Sequence, residues 1–299
     1  MSRRNGVPSQ DVTARRGGAS AAGDSDSGGI STWGLIAQFV FTILQLNLVL
    51  LLTFSPLLFV VLALVNPLQA VLGLGIALVL SAPGLAAAFA TFRDCPTLHT
   101  PLAGSGRGGI ATPAALASGA VASSYWNIDE DGATVFKPYF RAYRALFKRA
   151  VLVSLPLTVF SVVVVVEMQL LTQVSWAGYL VPTLAVLLLL AMGAWMPTLV
   201  MVVELPQART GALIRNGVYL TLRRWYLTLL NLFTLVAVAV GLVMETIMVA
   251  VIAMGPVLYF IWANARWSIL PMIEMIENEC LDELDPAERR RMLRLRNRG

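Results

Sequence analysis

The stretch that decides the fold is residues 150–203, which read AVLVSLPLTVFSVVVVVEMQLLTQVSWAGYLVPTLAVLLLLAMGAWMPTLVMVV. Its single charged residue is Glu167. A helix that crosses a membrane needs about 20 mostly apolar residues, so this stretch is too long for one crossing and long enough for two. A more polar interruption from Glu167 to Trp176 lies near its middle. The pattern therefore favours a helical hairpin with its turn at that interruption.

Two further stretches repeat the pattern. No charged residue occurs from Ser27 to Phe92, and the single charge from Trp225 to Ala265 is Glu245. Asn66-Pro67 and Met244-Glu245-Thr246 are the corresponding turn signals. We therefore predict an all-α, polytopic membrane bundle of six transmembrane helices in three hairpins. The predicted spans lie near 36–64, 69–91, 150–170, 177–202, 226–244 and 247–265.

Composition and charge placement support the same fold class and set its orientation. Hydrophobic residues make up 57% of the 299 residues, charged residues make up 13%, and the mean hydropathy is +0.73. Soluble domains carry about 25% charged residues, so this composition excludes an ordinary soluble domain. All 22 Lys and Arg residues lie outside the three apolar stretches, and the predicted hairpin turns contain none. The positive-inside rule therefore predicts a cell-membrane protein whose N- and C-termini are both cytoplasmic.

The remaining segments are polar. Residues 1–30 have no apolar run and are predicted to be a disordered cytoplasmic tail. The transmembrane domain, residues 31–268, contains a Gly/Ala/Ser-rich segment at 94–133 that we interpret as a flexible cytoplasmic insertion. Residues 269–299 form a charged cytoplasmic segment in which acidic residues precede a run of arginines. A short solvated helix and a docking tail for a cytosolic partner are its two interpretations.

Residues 134–149 are spaced for an amphipathic helix with an aromatic and a basic stripe. Pro138 must lie in the first turn, so the helix is predicted to begin between Thr134 and Lys137. We interpret it as lying on an anionic inner leaflet, with its rings at the headgroup boundary. The alternative is that the rings pack on the protein's own helices; a nucleic-acid partner is not favoured. The aromatic stripe is Phe136, Phe140, Tyr143 and Phe147, and the basic stripe is Lys137, Arg141, Arg144 and Lys148.

Few side chains in the apolar stretches carry chemistry. Cys95 and Cys280 are far apart, and His99 is the only histidine, so neither a disulfide framework nor a metal site is expected. No nucleophile–base pair lies in these stretches, so we expect neither an enzyme nor a bound cofactor. Four amides are expected to hydrogen-bond to neighbouring helices, with a polar substrate path as the alternative. These amides are Gln38, Gln45, Asn47 and Asn231.

Four pieces of the chain, taken in order, resemble the YesL-like family of uncharacterised bacterial integral membrane proteins. The resemblance covers residues 35–265 or so, and the departures are the N-terminal tail, the 94–133 insertion and Gly84, where the family tends to have alanine. The pieces are LNLVLLLT at 46–53, PGLAAAF at 83–89, FKPYFRAYRALFK at 136–148 and ALIRNGVYLTL at 212–222.

The resemblance implies a non-enzymatic role, as an accessory or regulator of carbohydrate uptake. A transporter or permease subunit in its own right is the alternative. A permease that works with a binding protein should carry a cytoplasmic loop of the form EAAxxxG, and the sequence ELPQARTG at 204–211 lacks that order. The sequence specifies neither a substrate nor an oligomeric state.

Overall fold

The architecture is an assembly of helices. The computed structural model describes residues 32–55, 57, 59, 67–95, 98, 119–125, 135–173, 177–244 and 253–282. Within these residues the regular elements are all helical, which confirms the predicted all-α class. The described residues contain seven α-helices, which are α1 Thr32–Thr53, α2 Pro67–Asp94, α3 Phe136–Leu171, α4 Val181–Glu204, α5 Thr210–Arg223, α6 Trp225–Met244 and α7 Met254–Asp282, and a 3-10 helix, Ala177–Leu180, leads into α4.

Three helical segments of the described chain are long and apolar enough to cross a membrane. They are Ala70–Asp94, Phe136–Leu171 and Gly178–Glu204. Phe39–Thr53 and Trp225–Val238 are shorter apolar helices. The hairpin predicted at residues 150–203 is present, because α3 ends at Leu171 and α4 follows directly after the 3-10 helix. The predicted turns at Asn66-Pro67 and Met244-Glu245-Thr246 fall wholly or partly outside the described residues, as do residues 1–30.

Helix α3 differs from the prediction in one respect. A separate amphipathic helix at 134–149 and a membrane helix at 150–170 were expected, but one helix of 36 residues covers both. It begins at Phe136, inside the predicted window, and Pro138 lies in its first turn. The join at Leu146 to Ala150 contains neither glycine nor proline, so nothing breaks the backbone hydrogen bonds there. Pro156, further along, is tolerated inside the helix.

The core lies toward one end of the assembly. Every residue from Ser81 to Phe92 in α2 is buried, and so is every residue from Ala194 to Leu205 at the end of α4. A helix that is buried on all sides must be surrounded by other helices rather than by solvent or lipid. The Ala-rich sequence of α2 at residues 86–90 suits this position, because small side chains let neighbouring backbones approach closely.

The first three helices meet at a buried tyrosine. The Tyr139 hydroxyl donates to the carbonyl of Gly84 in α2 (3.1 Å) and lies 3.0 Å from the Thr53 hydroxyl in α1. A Cβ on Gly84 would lie 3.0 Å from the Thr53 Cβ and 3.3 Å from the Tyr139 hydroxyl. The close packing at this junction therefore favours glycine at position 84.

Candidate functional site

A group of charged side chains is buried at the end of the bundle where the core lies. Arg93 and Asp94 are the last two residues of α2, Glu204 is the last residue of α4, and Arg266 lies within α7. We call these four residues the charge cluster. The side chains of Glu204 and Arg266 are each only 3% exposed, and those of Arg93 and Asp94 are 6% exposed. Charged residues are almost never buried to this degree unless they are paired.

The charges of the cluster compensate one another. Arg93 donates from Nε to Asp94 Oδ1 (2.6 Å) and from Nη2 to Oδ2 (3.1 Å), which forms a two-pronged pair. Glu204 lies between the two arginines, with Oε2 3.9 Å from Arg93 Nη1 and Oε1 3.3 Å from Arg266 Nε. Two positive and two negative groups therefore neutralise each other, and the cluster links the ends of α2 and α4 to α7.

Arg93 is the centre of this network. Its Nη1 donates to the carbonyl of Val203 at the end of α4, and its Nη2 donates to the carbonyl of Ser123. Both donor–acceptor distances are 3.0 Å. A planar guanidinium offers five N–H donors in a fixed geometry, which allows one side chain to bind several partners at once. A lysine at this position could not reproduce that arrangement, because its three donors share a single nitrogen.

A short piece of the 94–133 insertion packs onto the charge cluster. The Ala122 N–H donates to the Glu204 carbonyl (3.0 Å), and the Tyr125 N–H donates to Asp94 Oδ2 (2.6 Å). The Arg93 guanidinium lies over the Tyr125 ring, 5.7 Å from its centroid. Gly119, with a φ of +69°, begins this piece in a left-handed conformation that favours glycine. Residues 119–125 are thus held by specific hydrogen bonds rather than being a free linker; most of the insertion lies outside the described residues.

The Tyr125 side chain is neutral in this setting. Burial raises the pKa of its phenol, while the positive charge of Arg93 opposes the shift. The phenol therefore stays protonated at neutral pH and adds no further charge to the group. The favourable contact with Arg93 is that of a cation with an aromatic face.

Two more arginines fix the same end of the bundle through backbone carbonyls. Arg149 in α3 donates to the carbonyls of Val202, Leu205 and Ala208. The donor–acceptor distances are 3.4, 2.7 and 2.5 Å, respectively. These carbonyls belong to the last turn of α4 and the residues after it, where a helix leaves C=O groups without internal partners and carries a partial negative charge. Arg224, between α5 and α6, donates to the carbonyl of Trp267 in α7 (2.9 Å).

One side of the charge cluster is aromatic. The Arg266 guanidinium lies 5.3 Å from the centroid of the Trp262 ring. Phe92 packs against Trp262 and Tyr259 with ring centroids 5.8 and 5.3 Å away. Rings of this kind exclude water, so the pairs at Glu204 experience a lower dielectric than surface ion pairs do. The energy of each buried charge in the cluster consequently depends strongly on its oppositely charged partners.

The predicted interface helix presents its stripes outward. Phe136 is 39% exposed, Phe140 is 41% exposed, Phe147 is similarly exposed, and Tyr143 is half-buried. The opposite side of α3 is buried against the protein and consists of Tyr139, Ala142, Leu146 and Ala150. Tyr143 packs against the core, whereas the three phenylalanines are only partly covered by the protein. The contact of this stripe with lipid stays a prediction. The basic stripe, Lys137, Arg141, Arg144 and Lys148, is exposed.

The predicted amides have different surroundings. Asn231 in α6 is buried and accepts a hydrogen bond from Asn264 Nδ2 in α7 (2.7 Å), as expected for a bond between membrane helices. Gln45 Oε1 in α1 accepts from the N–H of Val135, just before α3 (3.2 Å). Asn47 is buried beside Gly255 of α7. The side chain of Gln38 lies outside what the structure describes. The three described amides therefore lie at separate contacts and do not form one group.

The charge cluster was not predicted from the sequence. In the sequence, Arg93 and Arg266 serve only as basic residues that mark topology, and Glu204 serves only as the first residue of the loop at 204–211. The available signal was Glu204, a single acidic residue that directly follows an uninterrupted apolar run and needs a buried counter-charge if that run is packed on all sides. Within the described residues, no group of three His, Cys, Asp or Glu side chains is placed to hold a metal ion.

No protein-family model, curated protein or solved structure matches this chain.

Neutralising Glu204 is expected to destabilise the fold strongly. The substitution Glu204→Gln preserves side-chain shape but leaves two buried arginines with a single carboxylate. Removing one partner of a buried pair costs about 3–5 kcal/mol, so we expect the free energy of unfolding to fall by roughly 3 kcal/mol. Thermal unfolding of the purified protein in detergent measures the change. The control is Glu274→Gln, at an exposed position of α7, which should change stability by less than about 0.5 kcal/mol.

The pair-removal variant Glu204→Met with Arg266→Met separates charge balance from local packing. It restores neutrality and should be more stable than Glu204→Gln alone, because an apolar pair often replaces a buried ion pair without loss. The stability lost by the double variant is compared with the losses of Glu204→Met and Arg266→Met measured separately. If the double variant lost the sum of the two, the charges would not compensate each other.

Proposed function

We propose that this protein crosses the cell membrane six times, in three hairpins, with both termini in the cytoplasm. Three long and two shorter apolar helices among the described residues, and the three nearly uncharged stretches of the sequence, support this topology. The charge cluster and Arg149 then lie together at the cytoplasmic end. Tyr179, which is 89% exposed, lies at the other end beside the turn between α3 and α4. Exposed aromatic residues are common at membrane–water interfaces.

We further propose that the protein is a non-enzymatic accessory of a carbohydrate uptake system. The non-enzymatic part is carried by the contacts of the charge cluster. Its charges pair with one another, and Arg93 also donates to backbone carbonyls, so the cluster holds helix ends together. Grooves in the apolar region near Gly75 are lined almost wholly by apolar side chains, which suit lipid or helix contacts better than a sugar. The link to carbohydrate rests on the resemblance to the YesL-like family alone.

Orientation can be tested with the native thiols. Cys280 is partly exposed near the end of α7, whereas Cys95 is fully buried and therefore poorly accessible from either side. A membrane-impermeant maleimide should label neither in intact cells and should label Cys280 once the membrane is permeabilised. In a Cys280→Ser background, Gln173→Cys, at an exposed position just after α3, should be labelled from outside. Outside labelling of Cys280, or protection of Gln173→Cys, would contradict the topology.

Transport assays distinguish an accessory from a transporter. Proteoliposomes that contain the purified protein alone should take up labelled sugars no faster than protein-free vesicles, while deletion of the gene should slow carbohydrate uptake by the cells of origin. Sugar accumulation by the purified protein would overturn the accessory role in favour of a transporter. Co-purification with an ATPase in a fixed ratio would instead identify a permease subunit.

A further inference from the structure

The junction between α5 and α6 lies beside exposed aromatic side chains that the charge cluster does not use. Trp225 and Tyr226 are the first two residues of α6, and their side chains are 63% and 55% exposed. Trp267 in α7 is 57% exposed. We call these three residues the aromatic collar. Exposed apolar patches mark surfaces that contact a membrane or another protein.

Hydrogen bonds hold the two parts of the aromatic collar at a similar height along the bundle. Arg224, between α5 and α6, donates to the carbonyl of Trp267 (2.9 Å). Further along, Asn264 donates to the carbonyl of Leu227 (3.2 Å). Residue numbers fall in α7 as they rise in α6, so the two helices are antiparallel along this contact. Trp225 and Trp267 therefore lie at neighbouring positions on adjacent helices.

On one side of the aromatic collar, both helices expose apolar side chains. Because α6 and α7 are antiparallel, these side chains lie in the same direction from the collar. α6 has 20 residues and therefore rises about 30 Å, which equals the thickness of the hydrocarbon core of a bilayer. The distance from the collar to the far end of α6 thus matches one membrane crossing. The exposed apolar residues are Leu229, Leu230, Phe233 and Val236 in α6 and Phe260 in α7.

On the other side of the aromatic collar, α5 extends toward the charge cluster. Thr221 lies next to Gly193 of α4, and Gly217, one turn earlier in α5, lies next to Thr198 of α4. Thr198 is the closer of these two α4 residues to Glu204, the last residue of α4. Passing from the collar into α5 therefore leads away from the apolar part of α6.

The exposed face of α5 is mixed in character. Arg215 and Arg223 are exposed together with Tyr219 and Leu222. Neither arginine forms an ion pair with a described residue. The headgroup layer of a membrane accommodates such a mixture, because rings and side-chain stems cover apolar lipid while charged ends reach phosphate and water. The order along the chain is thus a mixed basic face, the aromatic collar and then an apolar surface.

We propose that the aromatic collar binds the glycerol level of one leaflet of the bilayer. Trp and Tyr are enriched at this level because their rings are apolar and their N–H and O–H groups can bond to polar lipid groups or water. α6 then crosses the hydrocarbon, and α5 lies in the headgroup layer. Arg266 directly precedes Trp267, so the charge cluster lies at the height of the headgroups and outside the hydrocarbon. The proposal rests on the proposed membrane crossing of α6 but not on its orientation.

Brominated lipids, which quench tryptophan fluorescence at close range, measure the depth of the aromatic collar. The full-length protein is reconstituted into phosphatidylcholine vesicles whose lipids carry bromine either near the glycerol or near the ends of the acyl chains. The emission lost in Trp225→Phe with Trp267→Phe isolates the collar among the seven tryptophans. Bromine near the glycerol should quench this emission at least about twofold more strongly than bromine near the chain ends, because the rings lie at the interface.

Two further variants serve as controls. Trp262→Phe removes a ring of α7 that is fully buried, so the emission it loses should be quenched less than that of the collar by either lipid. Phe233→Trp, added to the double variant, places an exposed ring roughly 12 Å further along α6 than Trp225. Bromine near the chain ends should quench this ring more strongly than bromine near the glycerol.

Two outcomes would overturn the placement of the aromatic collar. Stronger quenching of its emission by bromine near the chain ends would place the collar inside the hydrocarbon. Quenching by neither lipid would show that protein, such as a second copy of the chain, covers these rings. A failure of the proposed membrane crossing gives a different result, because Phe233→Trp would then also be quenched by neither lipid.

Discussion

The structure depends on the compensation of charges that are buried where apolar helices end. Glu204 is the last residue of α4, whose C-terminal part is buried, and its carboxylate lies between the guanidinium groups of Arg93 and Arg266. A charge left without a partner in such a site costs several kcal/mol, so the helices that bear these residues must stay in register with one another. The relative positions of α2, α4 and α7 at this end follow from that requirement. The apolar side chains along the rest of these helices pack without disturbing the register that the charges set.

Helix α3 combines two environments in one continuous element. Its N-terminal part is amphipathic, with Tyr139 and Leu146 buried and the basic stripe exposed, while its C-terminal part is apolar and long enough to cross a membrane. Arg149 lies where the two parts meet and donates to carbonyls at the end of α4. The same arginine that marks the border of the apolar stretch in the sequence thus also fixes α3 to the end of its hairpin partner. Topology and tertiary structure are linked at this residue.

The sequence predicts those features that are local or periodic. The start of α3 follows from the fixed φ of Pro138, and the end of α3 and start of α4 follow from the polar residues between Glu167 and Trp176. The charge cluster is different, because Arg93, Glu204 and Arg266 are far apart in the chain and no spacing rule relates them. Nor does composition reveal that residues 119–125 pack on this cluster: their small and polar side chains resemble a linker, and the bonds that hold them come from the backbone.

The central claim is that the charge cluster holds one end of the bundle, with residues 119–125, as a single ordered unit. Hydrogen–deuterium exchange of the full-length protein in lipid nanodiscs measures this directly. The amides of Ala122 and Tyr125 are bonded to Glu204 and Asp94, so they should exchange far more slowly than in an unstructured peptide. That protection should be lost in Glu204→Gln, while exchange at the C-terminal end of α3 stays unchanged. Rapid exchange of both amides in the native protein would contradict the account.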